Sequence, residues 1–292
     1  MKVGGATLMG GKILGGACAT GSVLLFASFT LASRLGLTTD YATADLALMR
    51  FGIAALLLLP LFWRRGLSGQ SLARACTLAA TGGLGFALLA YEGFRHAPAS
   101  HAAVLLHGTL PLFGVLFGVV VLRERVSRLR LAGAALIGLG MATVLASGWR
   151  SGGTAAGHAY LLAAWAAWTL YGALLARWRV KATDAVAMVA ALSFVAYGAY
   201  VLASGHVLNA VPDSGFAVQA LVQGVLIGAL SLFLFSKAVE TLGATRAALA
   251  VTAVPVITAL GGIALLAEVP TPAEWAGVAL AVLGMGTALW RA

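Results

Sequence analysis

SHAAVLLHGTLPLFGVLFGVVVLRER, residues 100–125, is matched without a gap by ATRAALAVTAVPVITALGGIALLAEV, residues 244–269. The offset of 144 residues sets Pro111 on Pro255 and Glu124 on Glu268. It runs on into the next segment, where AGAALIGLGMAT (132–143) meets AGVALAVLGMGT (276–287). There Gly133 falls on Gly277, Gly140 on Gly284 and Met141 on Met285. One offset joining two segments, their loop, a proline and an acid defines an internal repeat, which has to be settled before any other assignment. The chain divides accordingly into residues 1–150 and 151–292.

Composition decides the solvent. Of 292 residues, 61% are apolar and 10% charged, whereas an ordinary soluble domain carries about 25% charged residues. So few charges cannot cover a water-facing surface of this size, and a lipid bilayer is the expected surroundings. The net charge of +10 does not indicate nucleic acid, because the basic residues sit in short clusters between apolar runs rather than on one face. Cys18 and Cys76 lie inside apolar runs and are expected to be small packing residues, not a disulfide framework. The N-terminal apolar run continues to spanning length without a clear cleavage site.

A spanning helix needs about 20 mainly apolar residues. Ten such segments are expected: 13–33, 42–63, 72–93, 100–122, 131–149, 157–178, 184–204, 216–239, 244–267 and 272–290. With the N-terminus inside, 15 Lys and Arg residues fall on cytoplasmic segments and only Arg34, Arg95 and Arg150 on outer loops. That asymmetry places both termini in the cytoplasm. Ten helices in two copies give five per half, so the second copy enters the membrane from the opposite side. The fold class is therefore an all-α membrane protein with ten transmembrane helices, built as two inverted five-helix repeats around a central cavity. Inverted repeats are the architecture of carriers that alternate between two access states.

Within that frame, a few side chains stand out. Pro111 and Pro255 lie near the middle of spans four and nine, and each leaves the carbonyl four residues earlier, of His107 or Val251, without a helical donor. They read either as tolerated kinks or as gating kinks beside a polar cavity. His107 is a polar side chain near mid-membrane, where ionisable residues face a bundle interior or a water path; a neutral, backbone-bonded histidine is the alternative. Arg50, in ADLALMRFG, is a buried polar candidate whose alternative reading is pairing with Asp45 or snorkelling. Glu124 and Glu268 are expected to pair with bases or cap a following helix. Trp165, Trp168 and Tyr171 recur every three residues and form a stripe on one face of span six. Phe26 and Phe29 correspond to Trp168 and Tyr171, and Tyr91 corresponds to Phe235. Together these aromatics would line a cavity for an apolar, aromatic or cationic solute. The Gly-rich pieces, including GGLGF, read as small-residue faces for close helix approach.

These features resemble the EamA family of the drug/metabolite transporter superfamily. The resemblance rests on the mid-span Arg50, on YEGFRHAPASHAAVL leading to Pro111 and Glu124, and on GATRAAL leading to Pro255 and Glu268. It implies a ten-helix basket whose cavity is lined by spans one, three, four, six, eight and nine. It also implies export of metabolites or toxic compounds, and the aromatic cavity is similar to that of exporters of aromatic amino acids and methyl viologen. The expectation is a secondary exporter of amino acids in a bacterial inner membrane, working as a monomer on a small-molecule substrate. No cofactor and no nucleic-acid partner are expected. A carrier for cationic drugs or nucleotide sugars, a passive channel and a membrane enzyme are the alternatives. An enzyme would need a constellation such as G-x-S-x-G or H-E-x-x-H, which is absent.

Overall fold

In the computed structural model, residues 3–39, 41–108, 112, 126–147, 153–205, 214–242 and 244–289 are described. Among them every element is helical. We label the helices α1 (Val3–Thr38), α2 (Thr43–Arg65), α3 (Leu72–His96), α4 (residues 99–107), α5 (Arg128–Ser147), α6 (Ala155–Trp178), α7 (Ala182–Ser204), α8 (residues 214–242), α9 (residues 244–266) and α10 (Pro272–Leu289). Eight helices among the described residues are long and apolar enough to cross a membrane. The other two expected spans differ for separate reasons. Span four continues past His107 into residues outside the described set, which include Pro111 and Glu124. α6 has the length of a span, 24 residues, but is not among the eight.

The outward faces carry large apolar side chains, such as Leu56, Trp63, Leu72, Leu202 and Leu283. The interior mixes small residues with aromatics. This distribution suits lipid, which gives no hydrophobic drive between helices, so close packing of small residues must do that work. α5 and α10 show it most clearly. A Cβ on Gly133 would stand 2.6 Å from the Gly284 carbonyl oxygen, and one on Gly140 would stand 2.6 Å from that of Gly277. The glycines thus meet crosswise, each touching the partner of its own repeat counterpart. Crosswise contact of equivalent positions makes this pair antiparallel and locally two-fold, with the axis running across the helices.

Cys18 is buried as expected, but Cys76 is exposed on the outward face of α3. Its neighbours Ala75 and Leu78 face a core cluster while Cys76 faces outward, and an apolar run alone cannot separate the two faces in a membrane protein.

Four irregularities interrupt the helices. α3 widens into a π-helical turn at Ala79–Gly83, α4 at Ala103–His107 and α8 at Ala220–Leu230. α9 breaks at Thr252–Ala253 and restarts at Val254, with the buried Pro255 in its first turn. The amides of Thr252 and Ala253 donate to Leu249 O and Ala250 O, tightening the end of the first half. Thus Pro255 breaks its span, as a residue without an N–H must. π-helical turns concentrate at functional sites, and a residue at or beside each irregularity, Gly82, His107, Ile227 and Val251, lines a cavity inside the bundle.

Candidate functional site

Two adjoining cavities lie there, sharing Phe26, Arg50, Trp168, Ile227 and Ser231 in their walls. One has a cavity volume of about 90 Å³, smaller than the roughly 300–1,000 Å³ typical of small-molecule sites. Its remaining lining includes Phe29, Phe86, His107, Phe235 and Val251. The other extends past Tyr171 and Gly82 toward Val186 and Val189.

The aromatic rings of the lining fall into two groups. Phe86 stands 4.9 Å from Trp168 by ring centroids, and Trp168 stands 5.3 Å from Tyr171. On the opposite wall Phe26 contacts Phe235 at 5.9 Å and His107 at 6.0 Å. The wide turn of α3 makes room for this arrangement. Gly82 lies so close to the Tyr171 ring that a Cβ would overlap it. The amide of Leu84 donates to Ser193 Oγ across to α7 at 3.2 Å, giving the distorted turn a partner.

Arg50 enters this lining from α2. Its guanidinium carbon lies 4.8 Å from the Phe29 ring centroid, with the Phe51 and Phe86 rings at 5.8 and 5.9 Å. Nη1 is buried without a hydrogen-bond partner among the described residues. Asp45 is engaged at the start of α2, where its Oδ2 accepts the Ala42 N–H at 2.9 Å. Arg50 makes no ion pair among the described residues. A buried guanidinium with an unmet donor is costly unless an anion completes it. His107 Nδ1 is likewise buried and without a partner there. The cavity therefore offers one fixed positive charge, one polar nitrogen and an aromatic surround.

Toward one end of the bundle a fully buried polar layer closes the cavity. Tyr91 Oη donates to Gln223 Oε1 at 3.0 Å, and Gln223 Nε2 donates to Ser33 Oγ at 2.9 Å. One helical turn away Gln219 Nε2 donates to Ala32 O at 2.7 Å. Beyond this layer Arg34 Nε donates to Glu268 Oε1 at 2.7 Å, while its Nη1 donates to the Phe94 and Arg95 carbonyls. Glu268 Oε2 accepts the Ala99 N–H at 2.7 Å. Glu268 pairs with a base as expected, but it caps α4 rather than the helix that follows it, α10, whose first turn is closed by Thr271 and Glu274.

The structure brings Phe26, Arg50, His107, Trp168, Tyr171 and Phe235 into these walls. Tyr91 sits in the layer above them. Trp165 packs against the central apolar cluster and does not join the lining. Pro255 lies beside Val251 at the break of α9, and Pro111 lies outside the described residues. Sequence reasoning missed Phe51, Phe86, Ser231 and the Gln219–Gln223 pair. Phe86 ends the GGLGF piece, which drew attention only for its glycines. The two glutamines, four apart in an otherwise apolar span, were a readable sign of a buried polar face. α2 and α7 also contribute to the walls, alongside the six spans that the resemblance implied.

Comparison with known proteins bears on this site. A family model described as the EamA-like transporter family matches residues 13–146 and 155–290. A "Probable terminal-alkyne amino-acid exporter" of Streptantibioticus cattleyicolor is 29% identical over 279 residues, covering 90% of this chain and 89% of that protein. A solved crystal structure superposes with a TM-score of 0.65 at 20% identity, over 93% of this chain and 95% of that one. At that identity the likeness concerns the fold alone.

Proposed function

Given that the chain belongs to the EamA-like transporter family, we propose that it is a secondary exporter of amino acids with aromatic or large apolar side chains. The observation that carries this reading is the Arg50 guanidinium inside an aromatic cavity, its Nη1 buried without a hydrogen-bond partner among the described residues. A carboxylate completes Arg50, since charge-assisted bonds to a planar guanidinium are strong and directional. The aromatic lining takes the side chain. His107, across the cavity, orients the polar end of the substrate. The amino-acid exporter similar to this chain adds support. A fixed positive charge disfavours cationic drugs, and a single one is poorly suited to a nucleotide sugar.

Transport proceeds by exchange between two access states of the halves 1–150 and 151–292. The crosswise glycine contacts of α5 and α10 support inverted repeats, as does the match of the family model to one segment in each half. The bundle end holding Arg65, Arg74, Arg128, Arg177 and Arg246 is the cytoplasmic one in a bacterial inner membrane, and the end holding Arg34 and Glu268 is the outer one. The polar layer and the Arg34–Glu268 pair then close the outer side.

The test is counterflow in proteoliposomes. Vesicles loaded with unlabelled phenylalanine should accumulate labelled phenylalanine or tryptophan, and alanine far less. A monovalent aromatic cation should not compete. Counterflow of the cation without any of amino acids would overturn the reading.

A further inference from the structure

A second polar cluster lies at the Glu268 end, outside the cavity. His101 of α4, His158 of α6 and Glu274 of α10 are all buried. His101 Nδ1 and His158 Nε2 are 2.9 Å apart, and His101 Nε2 and Glu274 Oε1 are 2.5 Å apart. Gly153 leaves room for the contact: a Cβ there would come within 3.0 Å of both His101 Nδ1 and His158 Nε2. Glu274 is also the acid of a capping box, its Oε2 accepting the Thr271 N–H at 2.7 Å while Thr271 Oγ1 accepts the Glu274 N–H at 3.3 Å. An acid in the first turn of a helix is held as the carboxylate by the helix dipole. Among the described residues the other charged groups at this end are Arg34 and Glu268, which pair with each other, Asp45 in the first turn of α2, and Glu92, Arg95 and His96 on α3.

We propose that His101, His158 and Glu274 form a proton-binding latch that holds the outer end closed. With Glu274 ionised and both imidazoles neutral, His101 Nε2–H donates to Glu274 and His158 Nε2–H donates to His101 Nδ1. Two protons fill the two hydrogen bonds and the cluster carries one negative charge. One further proton enters at His158 Nδ1. The Nε2 proton of His158 then passes to His101 Nδ1, so that His101 becomes an imidazolium against Glu274 and His158 is neutral again, protonated at Nδ1. Both hydrogen bonds survive and the cluster is neutral. The bond from α4 to α10, already charge-assisted through the carboxylate, becomes an ion pair between imidazolium and carboxylate. A proton therefore tightens the tie between α4 of the first half and α6 and α10 of the second. The same α4 carries His107 into the cavity wall, past the π-helical turn of Ala103–His107. That places the latch and the substrate site on one helix with a yielding turn between them.

The latch rests on the preceding reading only for opening at this end, and its test reads distance rather than transport, so the two can fail separately. Spin labels are placed at Thr39→Cys in the first half and Val269→Cys in the second, both exposed, in a Cys18→Ser, Cys76→Ser background in lipid nanodiscs. Between about pH 8 and pH 5, the range of histidine titration, the ratio of the short-distance to the long-distance population should rise about fivefold or more. His101→Gln with His158→Gln can keep both hydrogen bonds yet accept no proton, so its distances should not respond to pH. His158→Gln alone, a second check on folding, should weaken the response. His96→Gln, altering an exposed histidine at the same end, should leave it intact. An unresponsive native protein would overturn the latch. So would a full response in the double glutamine variant, or loss of the response in His96→Gln.

Discussion

Arg50 and Phe29 face each other across the floor of the polar layer, the guanidinium carbon 4.8 Å from the ring centroid, with Nη1 left without a partner among the described residues. Cation–π contact of this kind contributes about 0.5–2 kcal/mol, too little to offset a buried charge alone. The arrangement is best explained by an anion that arrives and leaves.

Arg50→Gln should weaken amino-acid binding by about 10- to 100-fold, the loss of a hydrogen bond to a charged group. Arg50→Lys should fall between, because an ammonium keeps the charge but neither stacks nor forks. Isothermal titration of purified protein with phenylalanine and with phenethylamine separates the terms. Only the carboxylate-bearing ligand should lose affinity. Equal loss for both would assign Arg50 to packing.

Trp168→Ala removes the ring shared by both cavities. Loss of about 0.5–1.5 kcal/mol of aromatic contact predicts a roughly two- to twelvefold fall in affinity for aromatic substrates and little change for alanine. Trp63→Phe, at an outward-facing position, is the control and should leave counterflow unchanged. If Trp168→Ala left aromatic efflux intact at normal expression, the stripe would be packing.

Gly140→Ala and Gly277→Ala should each lower thermal stability, by the equivalent of about 1–3 kcal/mol. The new methyl at 140 would meet backbone atoms of Gly277 and Ala281, and the one at 277 would meet Val144 and the Gly140 carbonyl. Gly138 has open space around its Cβ position, so Gly138→Ala should be within about 1 kcal/mol of neutral. Melting curves in one detergent compare the three directly.

Membrane orientation is read by labelling single cysteines in a background without Cys18 and Cys76. Ser204→Cys and Ser214→Cys, exposed at the Glu268 end, should react with an impermeant reagent from outside. Ser127→Cys, beside the start of α5, should react only after permeabilisation. The reverse pattern would invert the topology and leave the fold as it is.

The repeat and the lipid setting were legible in residue order, because hydropathy over about 20 residues and a fixed offset are one-dimensional properties. For the same reason Pro255, Trp168 and His107 were found: each is out of place in its own apolar run. Which of those residues share a wall could not be read. Trp165 and Trp168 lie on one helix face, yet the small angular difference between them sends one into packing and the other into the cavity. Phe86 reached the site through a π-helical turn, which shifts every side chain after it and has no signature in hydropathy. The pairing of His101 with His158 and Glu274 joins residues 57 and 173 positions apart. Sequence determined what each helix could bury; only helix packing decided which buried polar groups meet, because in lipid a polar side chain takes its partner from whichever neighbouring helix the close-packed small residues bring alongside.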